Sequence, residues 1–242
     1  MAEQRLFVAN GFDVAPEMVL SYAQTHYLLN VLRLSAGSRL LVFDGQNGEW
    51  RAEITRAKKS GCSIRLIEKV REQTAAQDIH YAFAPLKQGR LDYMVQKAVE
   101  MGASLLQPVM TAHTAVSRLN VERMKANAIE AAEQCGILAL PEIKEPVKLE
   151  TLLRTCDKDR TLVFCDERTE TSSPLEALEK LKGRKIMALI GPEGGFSASE
   201  REDLLSKKFV CPISLGPRVM RADTAAVAVL ALLNAALGDW RG

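Results

Sequence analysis

The amino-acid sequence predicts an α/β protein in two parts, a small β-barrel domain followed by a larger domain built on a mostly parallel sheet. Residues 1–72 contain short apolar strands separated by turn signals, whereas strands alternate with helices from residue 79 onward. Such alternation is typical of a parallel sheet with helices on both faces. The change in the period of the apolar residues places the domain boundary near residue 72, which gives two domains, 1–72 and 73–242.

Composition excludes several classes of protein. Of the 242 residues, 47% are apolar, which argues against disorder. The longest apolar run, AAVAVLALL, is too short to cross a bilayer, and the N-terminus lacks the pattern of an export signal. Five widely spaced cysteines without a C-x-x-C pair and three histidines predict neither disulfides nor a metal site. We therefore expect a cytoplasmic protein that binds no membrane and no metal.

The net charge is small and lies in the first part of the chain. Residues 1–72 hold 10 Lys and Arg against 8 Asp and Glu, while the whole chain holds 32 against 30. This excess permits RNA binding, but a solvated strand edge explains it equally well. The candidate RNA contacts are Arg5, Arg33, Arg51, Arg56, Lys58 and Lys59.

Local patterns predict the elements of both parts. In the first part, the dipeptides 44–45 (Asp-Gly) and 47–48 (Asn-Gly) predict hairpin turns, and 26–34 is the one predicted helix, with its apolar stripe at Leu28, Leu29, Leu32 and Val31. In the second part, GRLDYMVQKAVEMG predicts a helix that ends at Gly102. Its expected buried face comprises Leu91, Met94, Val95, Ala98 and Val99.

Two loops near the C-terminus are candidates for chemistry. The strand KIMALI runs into the glycine-rich loop 191–195, and Ser197 with Glu200 has the spacing of a capping box. Such a loop brings main-chain groups close to a nucleotide-like ligand, although a tight turn without a ligand has the same pattern. The strand VCPISL leads into a second loop, 216–223, in which Arg221 and Asp223 precede an apolar helix.

The charged pair before that helix has two interpretations. Asp223 is either the helix N-cap and the ion-pair partner of Arg221, or one of two residues that act on a substrate. The helix itself, AAVAVLALLNAAL, is apolar around its circumference, so we expect it to be buried on every face. It is the centre of a single core or part of a contact with a second subunit.

Together these segments resemble the RsmE-type enzymes of the SPOUT methyltransferase superfamily. HYLLNVLRLSAGSRLLVFDGQNGEWRAEI is similar to their PUA-like N-terminal domain. QKAVEMG, EAAEQCG followed by LPEI, LIGPEGGFSASE and SLGPRVMRADTAAVAVL are similar to their catalytic motifs, in the family's order. This chain departs from the family pattern at three positions. Similar enzymes commonly have Glu where this chain has Asp223, another basic residue where it has His113, and Arg where it has Ile137.

The resemblance implies a fold and an activity. It implies a SPOUT-type fold with a trefoil knot, and a homodimer in which a second subunit completes the site. It implies methylation of N3 of a uridine, position 1498 of 16S ribosomal RNA in the small ribosomal subunit, with S-adenosyl-L-methionine as donor. The implied donor-binding residues are Ile190, Gly191, Pro192, Glu193, Gly194, Gly195, Leu215, Gly216, Val219, Met220 and Thr224.

The chemistry of uracil assigns roles to three residues. N3 of uracil carries a proton, so its methylation needs a base or a cation that stabilises the anion. Arg221 is the candidate cation, and Asp223 or Glu193 is the candidate base. Two alternatives stay open: another SPOUT enzyme that methylates a ribose 2′-hydroxyl or transfer RNA, and a non-catalytic RNA-binding factor for ribosome assembly.

Overall fold

The computed structural model describes residues 3–9, 12, 17–58, 61–170 and 173–241. The chain divides into two compact units. The first comprises Met1–Ala75 and Ala132–Ala139, and the second comprises Ala76–Ala131 and Leu140–Gly242. The sequence pattern had not assigned the short segment Ala132–Ala139 to the first unit. Within the described ranges, every helix is too short or too polar to span a membrane.

The first unit contains a five-stranded, mainly antiparallel sheet in the order β1-β3-β4-β5-β2. Only the β1–β3 pair recorded for this sheet is parallel. The predicted turn between β3 and β4 is confirmed, because Gly45 and Gly48 have φ angles of 86° and 81°. The strands are β1 (Arg5–Phe7), β2 (Glu17–Val19), β3 (Arg39–Phe43), β4 (Glu49–Lys58) and β5 (Gly61–Arg71).

The helical segment of this unit begins earlier than the sequence predicted. Helix α1 (Tyr22–His26) starts at a capping box of Ser21 and Gln24, and a π-helical turn (Tyr27–Val31) follows it. Arg33 then adopts a φ of 56°, which a helix cannot accommodate. The prediction of a helix over 26–34 was therefore wrong in its bounds. Leu28 is fully buried as expected, but Val31 is 59% exposed and lies outside the apolar stripe.

The second unit contains a seven-stranded sheet with the strand order β12-β10-β11-β6-β7-β8, to which β9 adds by pairing with β7. Every recorded pairing is parallel, which confirms the prediction of a mostly parallel sheet. The trefoil knot stays a prediction. The strands are β6 (Ile79–Phe83), β7 (Leu105–Met110), β8 (Glu142–Ile143), β9 (Val147–Lys148), β10 (Arg160–Cys165), β11 (Lys185–Ile190) and β12 (Val210–Ile213).

Helices accompany these strands. The predicted buried face of α2 is confirmed in all five positions, and Gly102, with a φ of 76°, follows its C-terminus. The helices are α2 (Gln88–Glu100), α3 (Val121–Cys135), α4 (Leu149–Thr155), α5 (Pro174–Glu179), α6 (Ala198–Leu205) and α7 (Ala222–Leu237), with a 3₁₀ turn at Asp239–Arg241.

Helix α7 is not buried on every face, contrary to the expectation from its composition. One face is buried and contains Ala226, Val229, Leu230 and Leu233. The other face leaves small and apolar side chains half-buried, while Thr224 and Ala235 are exposed. We call this second face the open face of α7; its half-buried residues are Val227, Ala228, Ala231 and Leu232.

Strand order determines where the loops of the second unit meet. Strand β10 lies between β11 and β12, and all three run in the same direction. Phe164 pairs with Leu189, and Cys165 pairs with Ile213. The segments that follow these three strands therefore leave the same edge of the sheet, where parallel sheets bind their ligands.

The π-helical turn offers a test of packing in the first unit. We expect Leu28→Ala to lower the free energy of unfolding by about 2–5 kcal/mol, because it leaves a cavity in a closed core. Val31→Ala, one turn away and exposed, should change it by less than about 0.5 kcal/mol. Urea denaturation of both variants measures the difference, and equal losses would contradict the assigned packing.

Candidate active site

The loop after β11 is built as the sequence predicted. Ser197 accepts from the amide of Glu200 at 3.2 Å, and the Glu200 carboxylate accepts from the amide of Ser197 at 2.9 Å. This confirms the capping box that starts α6. The amide of Gly195 donates to the Pro192 carbonyl at 2.8 Å and closes a tight turn.

Two glycines of this loop are required, one by a neighbouring side chain and the other by its backbone conformation. A Cβ on Gly191 would lie 2.4 Å from Cε2 of Phe196, whose ring packs edge-on against Phe164 with 5.2 Å between centroids. Gly195 has a φ of 69°, in the left-handed region that side chains disfavour. The loop is therefore compact and keeps its main-chain groups at the surface.

The loop after β12 differs from the prediction at its end. The N-cap of α7 is Arg221, so the interpretation of Asp223 as N-cap was wrong. Asp223 lies two positions further on and accepts from the amide of Thr224 at 3.0 Å. Arg221 is exposed, and no ion pair or side-chain hydrogen bond to a described residue holds its guanidinium. The two residues are not ion-pair partners.

The two loops line one cavity, which encloses about 950 Å³ with the open solvent at its mouth included. Three predicted residues lie outside the lining, namely Thr224, Arg221 and Asp223, the last two at the start of the adjacent helix. The predicted residues that line it are Ile190, Gly191, Pro192, Glu193, Gly194, Gly195, Leu215, Gly216, Val219 and Met220.

Sequence reasoning missed a third wall of the cavity. It is formed by the segment after β10, which we call the β10 loop (residues 166–170). The signal was a charged run, DERTE, directly after an apolar strand, but its importance depends on β10 lying between β11 and β12. The lining residues that were not predicted are Phe164, Cys165, Asp166, Glu167, Arg168, Phe196, Arg201, Ser214, Arg218, Ala222 and Ala225.

Asp166 is a buried carboxylate in this wall. It accepts from Nε of Arg201 at 3.0 Å, from the Thr169 hydroxyl at 2.7 Å and from the amide of Arg168 at 3.2 Å, and Nη2 of Arg201 forms an ion pair with it at 2.8 Å. Burial raises the pKa of Asp166, but these hydrogen bonds outweigh burial and hold the pKa below its usual value. Asp166 is therefore ionised at neutral pH.

Three further polar side chains at or beside the cavity, Glu193, His113 and Cys165, have a partner or are protonated. Glu193 forms an ion pair with Arg90 from the first turn of α2. The Nδ1 atom of His113 lies 2.9 Å from the Gly195 carbonyl, so this histidine contacts the glycine loop. Burial raises the pKa of the Cys165 thiol, which excludes it as a thiolate nucleophile at neutral pH.

In the first unit, Arg5 is a structural residue rather than a free cation. Its guanidinium donates to Glu49 and to the main-chain carbonyls of Ala132 and Glu133, and it lies 4.5 Å from the centroid of the Phe43 ring. These contacts use its donors inside the unit, which argues against Arg5 as an RNA contact, and the RNA contact at Arg5 stays a prediction.

The remaining predicted RNA contacts fall into three groups. Arg51 pairs with Glu3 and Glu68, which compete with phosphate for its charge. Lys59 lies outside the described residues. The predicted cations that are exposed, and for which the described part of the chain provides no ion-pair partner, are Arg33, Arg56 and Lys58.

The arrangement suits an organic ligand with polar and apolar parts. Glycine loops offer main-chain groups, while Ile190, Leu215 and Met220 offer apolar surface. Among the described residues, no cluster of three or more His, Cys, Asp or Glu side chains is arranged to hold a metal ion.

We expect Gly191→Ala to lower stability by about 1–3 kcal/mol, because the new methyl group would displace the Phe196 ring. Gly89→Ala is the matched control, since a Cβ there meets open space in the first turn of a helix. It should raise stability slightly or leave it unchanged. Thermal unfolding of the two variants distinguishes them, and an unaffected Gly191→Ala variant would contradict the packing around Phe196.

Comparison with known protein families covers most of the chain. Residues 73–234 match the model of an RNA methyltransferase domain, and residues 21–67 match an RNA methyltransferase PUA domain. The ribosomal RNA small subunit methyltransferase E of Rickettsia conorii is 32% identical over 85% of this chain and 84% of its own length. The Bacillus subtilis protein of the same name is 27% identical over 96% of each chain.

Solved structures give the same result. A putative methyltransferase from Legionella pneumophila, solved with bound cofactor SAM, is 28% identical, with a TM-score of 0.86 over 99% of this chain and 100% of its own. A probable rRNA-methyltransferase from Porphyromonas gingivalis is 27% identical, with a TM-score of 0.82 over 98% of this chain and 100% of its own. The chain belongs to the RNA methyltransferase family that includes the ribosomal RNA small subunit methyltransferases E.

Proposed function

We propose that this protein uses S-adenosylmethionine to methylate N3 of a uridine in 16S ribosomal RNA. The observation that carries the proposal is the cavity between the loops after β10, β11 and β12, in a chain whose relatives are named for methylation of small-subunit ribosomal RNA. A similar structure was solved with bound cofactor SAM. Action on ribosomal RNA implies a cytoplasmic location.

The lining residues fit S-adenosylmethionine. The closely packed Gly191 and the left-handed Gly195 and Gly216 keep side chains out of the cavity and let main-chain groups approach a ligand. The apolar side chains of Ile190 and Leu215 offer surface for the adenine ring. When bound, S-adenosylmethionine supplies an electrophilic methyl group, so the residues of this chain mainly have to align it with the acceptor.

Removal of the uracil N3 proton is the second requirement. Arg221 supplies a permanent positive charge beside the cavity, and its guanidinium is exposed and unpaired within the described part of the chain. We propose that it stabilises the uracil anion. Asp223 and Glu193 are the candidate proton acceptors, and Asp223 is the better one because Glu193 is already paired with Arg90.

RNA recognition would draw on cations of both units. Arg33, Arg56 and Lys58 are exposed in the first unit, and Arg168 and Arg218 are exposed on the lining of the cavity. None of them forms an ion pair with a described residue. Exposed, unpaired guanidinium and ammonium groups attract phosphates, so binding to RNA should weaken as salt is added.

We further propose that the protein is a homodimer through the open face of α7. Small and apolar side chains on this face are half-buried in the single chain, and a second copy would bury them fully. The open face starts at Thr224, next to Arg221 and the cavity, so a partner subunit on this face would complete the site.

The function is tested by methyl transfer to small ribosomal subunits that lack the modification. With tritiated S-adenosylmethionine, we expect label to enter 16S RNA, and nucleoside mass analysis should identify 3-methyluridine. Label in the ribose, or labelling of transfer RNA only, would make the protein a different SPOUT enzyme. Donor and RNA binding without any transfer would make it a non-catalytic assembly factor.

Arg221→Ala tests the proposed cation. Because its side chain is exposed and has no ion-pair partner among the described residues, the melting temperature and donor affinity should stay near those of the parent. Single-turnover methylation should fall by roughly a hundredfold, the scale expected when one preorganised charge is removed. Arg221→Lys should restore little of the methylation rate, because an ammonium group cannot donate in the planar, two-nitrogen geometry of a guanidinium.

Arg184→Ala is the control for this variant. Arg184 is an exposed arginine just before β11, at the end of the strand remote from the glycine loop. Its removal should leave turnover unchanged. Normal turnover in Arg221→Ala would remove Arg221 from the mechanism.

Leu232→Glu tests the proposed dimer. A carboxylate in the middle of the open face should convert the dimer to a monomer in sedimentation velocity and abolish donor binding with it. Ala228→Glu should act in the same way. Leu205→Glu, at the exposed end of α6, should leave the dimer intact. A parent protein that sediments as a monomer at micromolar concentration would refute the proposed interface.

A further inference from the structure

Asp166 has a contact pattern that the proposed chemistry does not explain. Its side chain is 5% exposed, yet it accepts three hydrogen bonds, one of them from Arg201, and a second nitrogen of Arg201 lies within ion-pair distance. A buried carboxylate is costly unless it is fully hydrogen-bonded. Asp166 is not positioned as a proton acceptor, because guanidinium and hydroxyl donors already occupy it.

These contacts join the β10 loop to the helix that follows the glycine loop. Thr169 and the amide of Arg168 fix the β10 loop around the carboxylate. Arg201 belongs to α6, the helix that the glycine loop enters. The main-chain amide of Asp166 donates to the carbonyl of Ile213 at 2.9 Å, where β12 ends. The side chain of Asp166 thus joins the β10 loop to α6, and its main chain adds a contact to β12.

We propose that Asp166 is a positioning residue that holds the β10 loop against α6 and the glycine loop before S-adenosylmethionine binds, and that Arg201 is its principal partner. This inference rests on the proposed function for the identity of the ligand. A preformed cavity binds more tightly because no loop has to be ordered on binding. Asp166 therefore acts on donor affinity rather than on the methyl-transfer step.

The first test uses the ligand-free protein. In Asp166→Asn, amide hydrogen exchange should become faster together in residues 166–170 and in 191–197, because the side-chain bridge between the β10 loop and α6 is weakened. The segment after β12, which Asp166 contacts through its main-chain amide, should change little. Faster exchange in the β10 loop alone would mean that Asp166 stabilises only its own turn, and would contradict the proposal. This measurement is independent of the identity of the ligand.

The second test measures donor binding by calorimetry and turnover on small ribosomal subunits. Asp166→Asn should weaken the affinity for S-adenosylmethionine by roughly tenfold or more, the scale of a lost hydrogen bond to a charged group. KM for the donor should rise in parallel, while kcat at saturating donor should stay within about threefold of the parent. Parent-like affinity in Asp166→Asn would overturn the proposal.

Two variants separate geometry from charge. Arg201→Lys keeps the positive charge but cannot contact Asp166 through two nitrogens of a guanidinium. If Asp166 is a positioning residue, this variant should bind S-adenosylmethionine more weakly. Thr169→Val removes one hydrogen bond without changing charge and should give a smaller loss in the same direction. If both variants bind the donor normally, the charge of Asp166 and not its geometry matters, and the positioning role is refuted.

Asp92→Asn is the matched control for stability. Asp92 of α2 also receives two nitrogens of an arginine, Arg123, and the amide of Asn127, but it does not line the cavity. Asp92→Asn should lower the free energy of unfolding but leave the affinity for S-adenosylmethionine unchanged. If parent protein fails to bind S-adenosylmethionine, the proposed function fails, whereas the exchange experiment still decides whether the Asp166 side chain joins the β10 loop to α6 and the glycine loop.

Discussion

The order of three parallel strands is the constraint on which the site depends. Because β10 lies between β11 and β12, and all three point the same way, their following segments must leave one edge of the sheet side by side. A cavity forms there because the segments turn tightly instead of filling the space between them. Gly191 and Gly195 make this possible in the segment after β11, where Phe196 packs back toward Phe164.

Electrostatics divides the charged residues around this edge into two groups. Asp166 and Arg201 form one ion pair, which is buried or half-buried, and Glu193 and Arg90 form another. These charges therefore stabilise the protein's own loops. Arg168, Arg218 and Arg221 are exposed and have no ion-pair partner among the residues that the structure describes. The first group suits the construction of a donor site, and the second suits contact with an anionic substrate.

The sequence allowed prediction of those features that depend on neighbours in the chain. Strand and helix periodicity predicted the parallel sheet and the buried face of α2, and turn residues predicted the β3–β4 hairpin. The glycine loop and its capping box were recognised because the residues that determine them lie within ten positions of one another. The family resemblance rested on similar short motifs and was confirmed by the family match.

Features that depend on distant contacts could not be predicted. Arg5 looked like a free cation because its acceptors at Ala132 and Glu133 follow more than 120 positions later. Asp166 was one acid in a charged run until the strand order placed it between two loops. Helix α7 is apolar all round, but composition does not tell which face its own core covers.

We propose that the loops after β10, β11 and β12 together form the site for the methyl donor. A crystal structure of the protein with S-adenosylhomocysteine, the demethylated product, is the most direct test. We expect the ligand in the cavity, in contact with all three segments, with the Asp166–Arg201 pair intact beside it. A ligand bound elsewhere, or held without the β10 loop, would contradict this assignment.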